Sequence, residues 1–283
     1  MRSLVTGVVG KLFVFLFWNL LSVGVLVLPI APLAMLALEL VVVAAFVRRY
    51  LVRRTAGRRG ERARRAVLRL RAVPRSVWGI VGLWIGATIV LDNLVSVVWL
   101  RLVPRAADYP NPFEELERVP LGWLPLYATM LVAAPLVEEV AFRGWVQRPL
   151  ERRVGAAWAI GISALLFALA HGYPLLVPYY VAAGVALGAS VYLTRSLWVG
   201  VVAHAAHNLW SVASDAAGLT NERLIVWTRD PVVFVLAAGA LVAWIVVMVR
   251  LGRRMREAIR KRTVGASGGG TRVAALPTEF RGA

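Results

Sequence analysis

Leu131-Val132-Ala133-Ala134-Pro135-Leu136-Val137-Glu138-Glu139-Val140-Ala141-Phe142-Arg143-Gly144 sets two glutamates and an arginine inside an otherwise apolar run. What surrounds the run decides its solvent. Of 283 residues, 59% are hydrophobic and only 17% charged, and the mean hydropathy is +0.70, outside the range of an ordinary soluble domain. A spanning helix needs about 20 mostly apolar residues, and several stretches of the chain supply them. The fold class expected is all-α, a polytopic membrane bundle of about eight transmembrane helices around an internal cavity. Three charges at mid-membrane, each unpaired, would cost on the order of 10 kcal/mol in total. They must therefore be paired, neutral or hydrated.

Working outward, the central run extends to a span from Leu121 through Val146. Toward the N-terminus, Val77 to Leu100 forms a span, and the apolar region from Leu12 to Val47 is long enough for two, with Pro29-Ile30-Ala31-Pro32 as the break. Toward the C-terminus follow Ala156 to His171, Leu176 to Tyr192, Leu197 to Ser214 and Pro231 to Leu251. The net charge of +18 sits between these runs and after the last of them, as positive-inside topology requires. Arg48 to Arg75, Arg148 to Arg153, Arg195 and Arg253 to Arg262 then share one side, with both termini, in the cytoplasm. The loop from Arg101 to Pro120, with Asp108, Glu114, Glu115 and Glu117, lies on the other side. This distribution argues against nucleic acid as a partner and for anionic lipid headgroups. Trp78, Trp99, Trp123, Trp158 and Trp198 fall near span ends, where interfacial aromatics belong. Residues 1–262 read as one membrane domain with its chemistry in about 121–215, and residues 263–283, with Gly268-Gly269-Gly270, as a disordered tail. Only two of the basic residues are lysine, Lys11 and Lys261, a bias that suggests a bacterial source and its inner or plasma membrane.

Helical spacing assigns the buried charges. Glu139 and Arg143, four residues apart, share a face and pair, while Glu138 points about 100° away and is left for chemistry. The bland reading of Glu139 and Arg143 is an ion pair that closes the bundle. The chain has no cysteine and three histidines, all in predicted spans: His171, His204 and His207. A lone membrane histidine is ordinarily an interhelical hydrogen bonder. Here His204 and Asn208 share a face at spacing four, and His207 lies about 60° to the side, toward a neighbouring helix. With no nucleophile elbow, serine–lysine pair or HExxH helix, the available chemistry is water activated by a carboxylate, with or without a metal.

Glu138-Glu139-x-x-x-Arg143, Phe167-x-x-x-His171 and His204-x-x-x-Asn208 together resemble the three ordered motifs of the CAAX protease and bacteriocin-processing family, also called CPBP or Abi, to which the type II CAAX prenyl endopeptidases belong. The resemblance covers about Leu121 to Leu209. It implies an eight-helix intramembrane endopeptidase in which Glu138 activates water with help from His171, and His204 and Asn208 bind the oxyanion or complete a metal site. Glu139 and Arg143 would orient Glu138. Glu138, His171 and His204 could also serve as ligands of a divalent metal such as Zn2+ in an open site, whereas a metal-free glutamate mechanism uses the same residues. The partner expected is a membrane-embedded or lipidated protein or peptide. The alternative function is non-proteolytic, a proton-coupled transporter or bacteriocin-immunity protein in which Glu138, the histidines, Asp92 and Asn93 relay protons or bind a partner. By simple count His171 lies nearer the outer face than His204, so a shared site requires tilted helices or a deep cavity.

Overall fold

The computed structural model describes residues 2–52, 65, 68–108, 114–219 and 221–265. All regular structure among them is helical, as lipid demands of a backbone that must satisfy its own hydrogen bonds. The long helices are α1 (Arg2–Val25), α2 (Pro32–Phe46), α3 (Trp78–Leu102), α4 (Trp123–Val154), α5 (Ala156–Ala170), α6 (Val177–Thr194), α7 (Leu197–Ala216) and α8 (Pro231–Gly265). Short helices Glu114–Arg118 and Asn221–Thr228 lie between them. The turn between α1 and α2 falls at the predicted break, with Pro32 in the first turn of α2, where its missing N–H costs nothing.

By length and hydropathy together, four helices can cross a bilayer: Arg75–Leu102, Trp123–Val154, Pro174–Thr194 and Pro231–Lys261. Val9–Val25 and Ala156–Ala170 are shorter apolar helices. α7 is long enough, but His204, His207, Asn208, Ser211, Ser214 and Asp215 dilute its hydropathy. The eight predicted apolar stretches therefore all form helices, though not all by themselves make apolar spans.

Four boundaries differ from those expected. α1 begins at Arg2 rather than Leu12. α4 runs past Val146 to Val154, so Arg148, Arg152 and Arg153 sit on a helix. Gly155, at φ 80°, ends it. α2 continues beyond Phe46 as a π-helical turn, Val47–Val52, that carries Arg48 and Arg49. α8 continues to Gly265 and takes up the basic run after Leu251. The centre of the Arg-rich segment, 53–64 with 66 and 67, and the tail from 266 lie outside the described residues.

α4 is the axis of the arrangement. α7 packs along its middle, α5 along its second half, and α1 and α2 along its other side. α6 packs on α5, α3 and α7, and α8 closes on α3. The approach of α5 to α6 is set by Gly184, where an added Cβ would come within 2.9 Å of the Cα of Ala164. Phe15 of α1, Phe142 of α4 and Phe167 of α5 stack edge to face through the core at centroid distances of 4.9 and 5.4 Å. The outer faces of α1 and α8 expose Phe13, Phe17, Leu20, Val235, Leu236 and Val242, the surface a lipid-facing helix should present.

Candidate functional site

The site begins with a proline. In the π-helical turn Thr129–Ala133, the N–H of Ala134 donates to the carbonyl of Thr129, five residues back. The residue that would serve the next carbonyl, that of Met130, is Pro135, which has no N–H. The Asn208 Nδ2 of α7 donates to this freed Met130 oxygen at 2.6 Å. A break in one helix thus becomes the seat of a side chain from another, as is usual where π turns interrupt α-helices.

One turn later the charges are sorted as the spacing required. Arg143 Nη1 lies 3.2 Å from Glu139 Oε1, and both side chains are fully buried. The Arg143 Nη2 donates to the Gly184 carbonyl, and its guanidinium lies 4.7 Å from the Phe167 ring centre. His204 Nδ1 lies 3.0 Å from the same Glu139 oxygen, so the proton on Nδ1 faces the carboxylate. Gly200, one turn before His204, makes this possible: a Cβ there would stand 2.7 Å from Glu139 Oε2.

Glu138 makes no such pair with arginine. Among the described residues its Oε2 is buried with no hydrogen-bond partner, and His204 Nε2 lies 4.0 Å away. His171 is the C-cap of α5, followed by Gly172 at φ 74°, the left-handed position that commonly stops a helix. Its Nδ1 hydrogen-bonds the Phe167 carbonyl at 2.8 Å, an otherwise orphaned acceptor of the last turn. Nε2 is thereby left as the unprotonated nitrogen of the neutral ring. Tyr180 of α6 stacks on this imidazole at 3.9 Å, and Phe167 touches both His171 and His204, at 4.6 and 5.8 Å.

Glu138, His171, His204 and Asn208 line one cavity of about 670 Å³. Its lining also includes Asn19 and Ser22 of α1, Leu26 just beyond it, and Trp123 and Tyr127 of α4. Despite the depth mismatch expected between them, His171, at the C-cap of α5, and His204 line the same cavity. As a metal site the set does not close up: among the described residues no group of three or more His, Cys, Asp or Glu side chains is placed to hold a metal ion.

His207 belongs elsewhere. It faces α3, with Nδ1 2.6 Å from Asp92 Oδ2 and Nε2 2.8 Å from Thr88 Oγ1. Asn93 is also occupied, donating to the Ile89 carbonyl and accepting from Trp210 Nε1. Several participants had no role in the sequence reading: Met130, Gly200, Tyr180, and Glu39 of α2, which is fully buried and accepts a hydrogen bond from Ser22. A lone acid inside the run Pro32–Phe46 was the available signal for Glu39. Met130 had no such signal, because an α-helical count from Pro135 frees the carbonyl of Leu131 and only the π turn shifts it to Met130.

Searches of curated proteins and of solved structures found no significant match. Residues 120–210, which hold Glu138, Glu139, Arg143, His171, His204 and Asn208, match the family described as Type II CAAX prenyl endopeptidase Rce1-like, the grouping to which the three motifs pointed.

Proposed function

We propose that this protein is an intramembrane endopeptidase that hydrolyses a peptide bond of a membrane-associated or lipidated substrate. The observation that carries this reading is the single cavity shared by Glu138, His171, His204 and Asn208. Peptide hydrolysis needs a base beside a water, donors at the developing oxyanion, and exclusion of bulk solvent that strengthens both. Glu138 Oε2, buried and without a protein partner, is the base. It takes one proton from a water whose other contact is His171 Nε2, while the water oxygen forms a bond to the carbonyl carbon. The carbonyl electrons move to oxygen, where the second N–H of Asn208 and the Nε2 of a protonated His204 donate. Glu139 stabilises the charge on His204 through Nδ1. On collapse the C–N bond breaks, and Glu138 returns its proton to the leaving amine. These steps use the protein's own donors; a divalent ion held by Glu138, His171 and His204 would instead supply the polarisation of water and carbonyl.

The orientation follows from charge: the arginines at the ends of α4 and α8 belong on the cytoplasmic side, facing anionic headgroups of the cell membrane.

The test is cleavage of quenched fluorescent peptides, some of them lipidated, by the purified protein in detergent. Wild type should cleave at least one, and Glu138→Ala should not. A well-folded wild type inert toward every peptide would favour the transporter or immunity alternative.

A further inference from the structure

α7 carries three polar side chains within five residues, and each is tied to a different place. His204 is held by Glu139 and Asn208 by the Met130 carbonyl, both on α4. His207 is held on the opposite side, by Asp92 and Thr88 of α3. At about 100° per residue, Asn208 lies some 40° to one side of His204, and His207 some 60° to the other. The two tethers to α4 restrain the roll of α7 about its axis from one neighbour only. The third, from α3, opposes that roll.

The hydrogen bonds show what kind of tether this is. The single hydroxyl proton of Thr88 goes to the Ile85 carbonyl at 2.7 Å, so the hydroxyl oxygen accepts from His207 Nε2–H. His207 Nδ1 lies 2.6 Å from Asp92 Oδ2, a close contact off the line of a well-formed hydrogen bond, since neither Asp92 oxygen has a hydrogen-bond partner among the described residues. The imidazole is thus held at Nε2 by Thr88 and at Nδ1 by its contact with Asp92. Asp92 and His207 are 3% and 8% exposed, and His207 lines a second chamber, of about 330 Å³, rather than the catalytic cavity. The two chambers share Tyr179, Tyr180, Ser211 and Asp215 as walls, and α7 is the element that carries both His207 and the cavity-lining His204 and Asn208.

We propose that the Thr88–Asp92–His207 clamp sets the roll of α7 and so places His204 and Asn208. This rests on the hydrolytic reading above and makes Asp92 and His207 positioning residues. The lever is long enough to matter. A side chain about 6 Å from the helix axis moves about 1 Å for a 10° roll, and a displacement of about 1 Å can cost on the order of 10²-fold in rate.

The experiment pairs kinetics with a geometric readout. The chain has no cysteine, so a single Val212→Cys, on α7 and lining the catalytic cavity, can be labelled with a maleimide in each background. Thr88→Val with Asp92→Leu removes both tethers and leaves no unpaired group on α3. We expect kcat to fall about 10- to 100-fold with KM within about threefold, and labelling of the cysteine to change several-fold. Thr88→Val alone, which keeps the Asp92–His207 pair, should give a smaller loss of the same kind and serves if the double variant does not fold. Asp92→Asn, whose amide can donate to the bare Nδ1 of a neutral His207, should restore kcat to within about threefold of wild type and labelling to its parental rate. An Asp92→Asn variant as slow as the apolar double would overturn the clamp in favour of proton transfer. Unchanged labelling in the apolar variants would overturn it outright. If wild type cleaves no peptide, labelling alone decides: a shift upholds the clamp while the protease reading falls.

Discussion

Two stretches of α4, barely three turns apart, hold buried carboxylates in opposite economies of charge. At Glu138–Arg143 two acids share one arginine, and the surplus acid, Glu138, is left facing a cavity with an unpartnered oxygen. At Gln147–Glu151 one acid serves three arginines. Arg69 grips Glu151 with both terminal nitrogens, Arg148 lies at 3.3 Å and Arg195 at 3.9 Å, and Gln147 donates a further hydrogen bond. Burial pushes the Arg69 guanidinium below its usual range, and Glu151 offsets that. The difference separates chemistry from architecture. An acid with more partners than oxygens is a fastener; Glu138 differs from the other under-partnered buried acids, Glu39, Asp92 and Glu139, in lining the cavity of about 670 Å³.

The comparison breaks most sharply at Glu138. Glu138→Ala should lower kcat by about 10³-fold or more, the upper range for a lost general base, and leave thermal unfolding almost where it was. A variant that lost its fold along with its activity would place Glu138 among the fasteners. Asn208→Ala should follow at about 10²- to 10³-fold, as for an oxyanion donor, with little change in KM.

Glu151→Ala should do the reverse. It strands Arg69 and Arg148 around a vacated carboxylate, and breaking a buried pair this way costs about 3 to 5 kcal/mol. Chemical unfolding should register that loss, while kcat of the protein that remains folded changes less than tenfold. A large fall in kcat with stability intact would show that the two stretches are not separate.

Gly200→Ala sharpens the comparison at intermediate scale. The added methyl meets Glu139 Oε2 and the side chain of Val191, and overpacking of this kind costs about 1 to 3 kcal/mol. Since Glu139 in turn holds His204, kcat should fall about tenfold as well, measured beside the unfolding midpoint.

Much of this was legible in the sequence for a simple reason: hydropathy, proline placement and the i,i+4 rule act locally. The turn before Pro32, the Glu139–Arg143 pair and the spare face of Glu138 follow from them directly. What escaped was set by neighbours or by the backbone. α4 outran its apolar run because Glu151 gathers arginines from three segments, and no hydropathy window sees such a cluster. The two π-helical segments of α4, Thr129–Ala133 and Val140–Gln147, change which residues share a face, so the seat of Asn208 on Met130 had no signature in a strict 3.6-residue count. His207 was read toward a neighbouring helix, but only the packing of α7 on α3 supplied Asp92 and Thr88 as its partners.

The smallest expected effect tests the same division by a different route. If Glu138 works as a base with His171, His204 and Asn208 around it, a strong chelator added to active protein should change kcat less than twofold. A zinc hydrolase would lose activity and regain it on adding Zn2+, because three protein ligands and an open position are what its chemistry requires. Here His204 spends Nδ1 on Glu139 and His171 spends Nδ1 on the Phe167 carbonyl, which leaves each with one nitrogen toward the cavity. Such histidines are also the form a zinc ligand takes, with its second nitrogen anchored. Tautomer alone therefore does not decide the matter: Glu138 and His204 approach one another, and among the described residues no third acid or histidine joins them as a ligand set, so the chelator is the arbiter. Chelator-sensitive cleavage, restored by metal, would mean that substrate draws His171 into that set and that Glu138 is a ligand rather than a free base.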